Sequence, residues 1–435
     1  MKSRTNFDII LSKGYDVMRV NEKLMRITED TIVVGIDIAK YKHYARFIDY
    51  RGNVVYKTIS FDNNKCGFDK LIDTISIVKD KTGKGDVIIG CEPTGHYWFN
   101  LRDYLKDQQI ELVIVSTYAT KNAKEFDDNS PTKSDPKDAL VIAKLVAEGR
   151  YSIPVIREDL FQEINNAHSI IEDIDEEIVR IKNKIHRWND IYFPEIENVY
   201  NINSREYEEF AKLTLTPKEV KNTSLEELIV KLKENNHYAS KNKIGIIKTL
   251  AEVSVGCEAN DYAKMEIQRL IKRLRELTDE KENLQKELEV KASEIDYVKN
   301  IVEITGVGYG QMISIMSECG DLKNYDHYKQ LMKMAGLGLK ENSSGTKKGR
   351  KHINKRGRAQ LRKILKLTAL SLIKNNDAFK SLHVYYTKKR ERCLEKLVSV
   401  NVIIHKFVRV MMAIVKNGEK FSKEKMIKES IISYS

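Results

Sequence analysis

The sequence predicts an α/β domain followed by a mainly helical remainder. Three observations carry that prediction. Short β-branched runs alternate with helical periodicity between about residues 31 and 155, all six prolines lie at or before Pro217, and two long later stretches repeat apolar residues every three or four positions. At 435 residues the chain is too long for one ordinary core, so several domains are expected.

The elements follow in order. Residues 1–30 read as a polar leader, and "TIVVGIDIAKYKHYARFIDYRGNVVYKTISF" then gives two partly alternating runs around the turn signal Arg51-Gly52-Asn53, a β-hairpin pattern. "DVIIGCE" and "IELVIVS" are further short strands, with helical periodicity in "PTGHYWFNLRDYLKDQ" between them, which completes an α/β domain at 31–155. "LFQEINNAHSIIEDIDEEIVRIKNKIHRW" and "YAKMEIQRLIKRLRELTDEKENLQKELEVKASEIDYVKNI" mark 156–300 as long paired helices or a coiled coil, interrupted at about 195–257 by a polar helical insertion of unread purpose. A segment at 301–375 and a helical tail at 376–435 complete the chain.

Composition narrows the classes. Five scattered cysteines, none in C-x-x-C spacing, argue against zinc fingers and fit a reduced, intracellular protein. "MKSRTNFDIILSKGYDVMRV" lacks the apolar run of a signal peptide. The most apolar late segment, "LVSVNVIIHKFVRVMMAIV", carries Asn401, His405, Lys406 and Arg409 and reads as a buried amphipathic helix, so no membrane span is expected.

The net charge is +12, and its distribution matters more than its size. From Lys340 to Lys366 eleven Lys/Arg face one acid, Glu341. Lys347, Lys348, Arg350, Lys351, Lys355, Arg356, Arg358 and Arg362 are the candidates for nucleic-acid contact, the last two aimed from one face if "RAQLRKILKLTALSLI" starts a helix. Upstream, Gly306 and Gly308 form a tight turn between apolar stretches. Such a turn can present backbone N–H groups to a phosphate, and it is also ordinary helix–helix packing.

Four carboxylates stand apart. Asp37 ends an apolar strand, where a charge is costly unless paired or metal-bound, and Glu92 closes another at the end where α/β sheets place their sites. Asp135 and Asp138 open the helix "SDPKDALVIAKLVAEGR". They suit a helix cap, and they also suit a second pair of oxygen ligands for one or two hard cations. A strand Asp, a hairpin, a strand-ending Glu and a D-x-x-D helix form the chain order of a ribonuclease H-like nuclease, whose metals clamp an in-line phosphoryl displacement.

With the long paired helices between them, "GIDIAK", "GCEPTGHYW" and "KSDPKDALVIAKL" on one side, and "ITGVGYGQMISIMSECGDLKNYDHYKQLMKMAGL" and "ENSSGTKKGRKHINKRGRAQLRKIL" on the other, resemble the DEDD transposases of the insertion sequence 110 family, also called bridge-RNA-guided recombinases. The resemblance covers about residues 31 to 375. It implies a RuvC-like domain at 31–155, coiled-coil helices, and a mainly helical C-terminal transposase domain with a helix-hairpin-helix-like element. It further implies a serine nucleophile, whose motif falls on Ser344-Gly345, with Ser343 adjacent. The family usually has proline where this chain has Leu339 and Pro-Gly where it has Thr305-Gly306, differences of loop shape. Asp37, Glu92, Asp135 and Asp138 would then hold Mg2+, with Mn2+ as an alternative. The implied partners are donor and target DNA, a structured noncoding guide RNA, and further copies of the chain, from dimer to tetramer. The implied location is a bacterial cytoplasm, at the nucleoid.

Three other classes compete. A plain RuvC-like endonuclease would activate water and need no serine. An actin-like ATPase or sugar kinase also follows a "GID" strand, but its loop continues with Gly and Thr where this chain has Ala39-Lys40-Tyr41. A non-enzymatic coiled-coil nucleic-acid binder would leave all four acids structural.

Overall fold

The computed structural model describes residues 20–127, 135–154, 159–234, 240–340, 343–344, 347–348, 352–424 and 426. The described chain forms two compact units: Met1–Glu158 with Cys319–Ala369 and His383–Glu419, and Asp159–Glu318 with Leu370–Leu382 and Lys420–Ser435. The 301–375 segment, expected as one domain, therefore contributes to both units. The first nineteen residues of the expected leader lie outside the described residues. From Val20 onward the chain joins the first unit through helix α1 (Val20–Met25), and Arg26 pairs with Asp86 at 2.6 Å and Glu111 at 3.0 Å.

The first unit is built on strands β1 (Thr31–Asp37), β2 (Lys42–Ile48), β3 (Val54–Asp62), β4 (Asp86–Cys91) and β5 (Glu111–Ile114), with α2 (Lys65–Thr82), α3 (Phe99–Asp107), α4 (Thr117–Asp127) and α5 (Asp135–Ala147) between and after them. The sheet order is β3-β2-β1-β4-β5, antiparallel from β3 to β1 and parallel from β1 to β5. That arrangement is compatible with the ribonuclease H-like domain expected. The predicted hairpin at Arg51–Asn53 joins β2 to β3. The run before it, which looked like one strand, breaks after Asp37 and reverses into β2, and the Ala39 amide donates to His43 Nδ1 at 3.3 Å across the reversal.

Each face of this sheet has its own core. Ile32, Val34 and Ile36 point to a cluster with Phe47, Phe61, Phe68, Leu71 and Leu101, while Val33 and Ile88 point to one with Val141, Ile142, Ala143 and Val146 of α5. Gly35 and Gly90 are paired across β1 and β4 on the α5 side. A Cβ on Gly35 would lie 2.2 Å from the Ala139 carbonyl oxygen and 2.3 Å from the Ala143 nitrogen, and one on Gly90 would lie 2.3 Å from Val146 Cγ2. The bare pair lets the helix backbone rest on the sheet backbone.

The second unit contains α6 (Asp159–Tyr192) and α11 (Asp261–Ser293), with the short helices α7 (Arg205–Lys212), α8 (Pro217–Asn222), α9 (Leu225–Glu234) and α10 (Lys241–Val253) between them. Ile171, Ile174, Ile178, Ile181 and Ile185 are buried along α6 at alternating three- and four-residue spacing, the seam of a coiled-coil pair. Glu163, Asp175 and Glu177 pair with Lys291, Lys281 and Arg273, a reversed order that makes α6 and α11 antiparallel. The insertion is a packed helical body. Tyr207, Phe210, Val220, Leu232 and Ile247 bury against Trp188 and Ile267, and Tyr207 Oη donates to Asn189 Oδ1 at 2.7 Å. Helices α12 (Asp296–Val302) and α13 (Tyr309–Cys319) follow.

After α14 (Tyr328–Met334), the basic segment forms short strand pairs. Strand β6 (Leu339–Lys340) pairs antiparallel with β9 (His352–Ile353), and β7 (Ser343–Ser344) with β8 (Lys347–Lys348) inside them. Helices α15 (Ala359–Asn375), α16 (Asp377–Val384) and α17 (Lys396–Asn417) close the fold. Helix α17 is long and apolar enough to cross a membrane, yet it buries Ile403, Ile404, Phe407, Val408, Met411 and Met412 within the protein, as a core helix does.

The glycine pair yields a graded test. Gly35→Ala meets helix backbone and should cost about 3 kcal/mol, the upper end of ordinary overpacking. Gly90→Ala meets only the movable end of Val146 and should cost about 1 kcal/mol. Urea unfolding of both variants checks the order, and equal losses would refute it.

Candidate active site

Two of the four predicted carboxylates come together directly from sheet register. Ile36 pairs with Cys91 across parallel β1 and β4, so Asp37 and Glu92 are the next residues on neighbouring strands, about 5 Å apart in the hydrogen-bonding direction. Both are partly buried, and both leave the carboxyl ends of parallel strands, where open α/β sheets gather their chemistry. Alternation puts Asp37 on the side of Gly35, beneath α5.

Asp138 is delivered by the same contact. It precedes Ala139, the residue whose carbonyl sits over Gly35, and it is only 8% exposed. Lys124 of α4 pairs with its carboxylate at 2.7 Å. A buried carboxylate needs a cation, and here an ammonium supplies it. The Asp135 side chain lies outside the described residues; its backbone opens α5. Among the described residues, no three His, Cys, Asp or Glu side chains are grouped at metal-binding spacing.

The chemistry of the donors nonetheless fits a hard cation: adjacent strand-end carboxylates and a buried third that already attracts positive charge. Cys91 is not an alternative ligand. Its side chain belongs to the opposite core, and burial, with the Glu92 charge, pushes its thiol up to about 12.

Ser344 and Ser343 are placed by backbone only. Register sets Ser344 opposite Lys347 and Ser343 opposite Lys348, so the serine motif sits on a β-ribbon between lysines. Of the other predicted cations, Arg350 and Lys351 lie outside the described residues, as do the side chains of Lys347 and Lys348. Lys355 and Arg356 are exposed, and the Arg356 guanidinium stands 5.0 Å over the Tyr118 ring. Arg362 turns inward, donating to the Ala335 carbonyl at 2.8 Å where α14 ends. Arg358 precedes α15, and its backbone N–H donates to Met334. At the glycine turn, Gly308 N–H donates to Gln311 Oε1 at 2.8 Å, while Ser371 Oγ donates to the Gly306 carbonyl at 2.8 Å. The turn's own groups thus hold it in its helical surroundings.

Sequence reasoning missed Lys124, for nothing in its neighbourhood singles it out. It also missed that each strand acid stands two residues after a glycine, Gly35-Ile36-Asp37 and Gly90-Cys91-Glu92, a repeat visible in the chain. Removing Lys124 tests the buried pairing. Lys124→Ala should cost about 1–3 kcal/mol by stranding the Asp138 charge, and adding Asp138→Asn should recover most of it. A double variant no more stable than Lys124→Ala in urea unfolding would contradict this.

Residues 34–194, which contain all four carboxylates, match a family model described as a transposase, DEDD_Tnp_IS110. Residues 298–384, which contain the glycine turn, the serines and the basic segment, match a second model, described as the transposase of the IS116/IS110/IS902 family. No curated protein matches the chain. Two family regions, in the order in which the carboxylate and serine motifs occur, lead to one conclusion: the protein belongs to the IS110 family of DEDD transposases.

Proposed function

We propose that this transposase cuts and rejoins DNA through a serine nucleophile served by a divalent metal site at Asp37, Glu92, Asp135 and Asp138. The observation that supports it most is the adjacency of Asp37 and Glu92 at parallel strand ends, with Asp138 brought to the same face by α5. Mg2+ is the proposed ion, with Mn2+ as substitute; when bound, it would supply positive charge to the phosphate and to the oxygens entering and leaving it.

The chain's own residues do the rest. The Ser344 oxygen forms a bond to phosphorus, the bond from phosphorus to the departing sugar oxygen breaks, and that oxygen takes up a proton while the serine loses one. The phosphoserine link keeps the energy of the phosphodiester, so the reverse attack by another DNA end rejoins strands without ATP. A serine hydroxyl is a weak nucleophile near neutral pH, and it needs the electrostatic help that carboxylate-held metal and the Lys347 and Lys348 charges on the facing strand would give. Exposed Lys355 and Arg356 would hold phosphates without reading bases.

Target choice is assigned to a structured noncoding guide RNA, because base pairing can select sites while the protein holds backbones. The serine and carboxylate regions of different copies would meet in a dimer or tetramer on nucleoid DNA.

The test copurifies the protein with its RNA, adds donor and target DNA with Mg2+, and assays a covalent protein–DNA adduct. Wild type should form the adduct, Ser344→Ala should not, and Asp37→Asn should lose both adduct and cleavage. Free cleaved ends that persist in Ser344→Ala would make the enzyme a water-using nuclease instead.

A further inference from the structure

The loops leaving the two strand-end acids are tied together by a side chain outside the acidic set. Beyond Asp37 the chain reverses through residues 38–41, and beyond Glu92 it runs through Tyr97 to α3. Asn63, just past β3, reaches both loops. Its Nδ2 donates to the Lys40 carbonyl at 3.3 Å and to the Tyr97 carbonyl at 3.4 Å, and its backbone N–H donates to Tyr41 at 2.8 Å.

His43 holds the first of these loops from the core side. Its ring is fully buried, stacked on Phe68 with centroids 6.3 Å apart and edge-on to Phe61 at 5.2 Å. The Ala39 amide donates to Nδ1, so Nδ1 is the acceptor and Nε2 carries the proton. His43 Nε2 and Asn63 Oδ1 are both buried and have no hydrogen-bond partner among the described residues. A donor facing an amide sets the oxygen toward the ring and the nitrogen toward the two carbonyls. His43 thus holds the loop after Asp37 directly at Ala39, and its Nε2–H is the donor available to the Asn63 oxygen.

We propose that Asn63, oriented by His43, is a positioning residue that clamps the loop after Asp37 to the loop after Glu92 and holds the two carboxylates at the spacing a divalent cation requires. This rests on the reading of Asp37 and Glu92 as metal ligands. The acids lie on adjacent strands one position past the last β1–β4 ladder pair, Ile36 with Cys91, so the ladder sets them side by side but ends before it reaches them. The clamp takes over at that point.

The experiment titrates the full chain with Mn2+ and follows free Mn2+ by electron paramagnetic resonance, comparing wild type with Asp37→Asn, Asn63→Ala and His43→Phe. Thermal unfolding without metal serves as the fold control. His43→Phe keeps the aromatic packing and removes only the polar contacts. Asp37→Asn should abolish the tight site, Asn63→Ala should raise the Mn2+ midpoint severalfold, short of the loss that follows removal of a ligand's own hydrogen-bond partner, and His43→Phe should raise it less. An Asn63→Ala protein that binds Mn2+ at the wild-type midpoint, while Asp37→Asn does not, overturns the clamp and leaves the metal site standing; reduced thermal stability without a shifted midpoint has the same meaning. Wild-type binding by Asp37→Asn would overturn the metal-ligand assignment beneath it.

Discussion

The structure depends on one close approach. Where Gly35 and Gly90 pair across β1 and β4, α5 rests on bare backbone, with Ala139 and Ala143 over one glycine and Val146 over the other. Side chains at those positions would lift the helix off the sheet, because interiors are packed too tightly to absorb an extra methyl there. The contact does more than fill a core. It fixes the turn of α5 that carries Asp138 against the strand whose end carries Asp37, and Ile142, Ala143 and Val146, fully buried, add the apolar area that keeps the helix seated.

Around that contact the site is assembled from parts with different rigidity. Asp37 and Glu92 come from strand ends and Asp138 from a packed helix with Lys124 as its counter-ion, while the serine we propose as nucleophile, Ser344, lies on a two-residue strand pair in the basic segment. Strands and a seated helix hold groups well; a short ribbon of polar residues has little apolar area to hold it.

Much of the α/β domain was legible in the chain. Alternation and turn chemistry gave the strands and the Arg51–Asn53 hairpin, because those signals are local. The break after Asp37 was not legible, since Ile38 to Tyr41 holds neither glycine nor proline, and the His43 ring that accepts the Ala39 amide lies four residues further on. The long isoleucine seam of α6 was readable from period alone, whereas its partner direction came only from the ion pairs. The acids of the candidate site were legible as residues, but their adjacency rests on β1 pairing with β4, a contact across more than fifty residues that no local pattern encodes. The same holds for Lys124 and Asn63, ordinary polar residues until the fold gives them neighbours. The basic segment read as charge with interspersed glycine and serine, and that composition concealed its strand pairing.

We propose that packing of α5 on the glycine pair gathers strand and helix carboxylates into one cation site. Crystals grown with Mn2+, with anomalous diffraction collected at the manganese edge, address it most directly. A manganese peak between Asp37 and Glu92, with Asp138 beside it and Lys124 withdrawn from its carboxylate, is the expected result. An intact Lys124–Asp138 pair, with no peak at the strand ends, would contradict it.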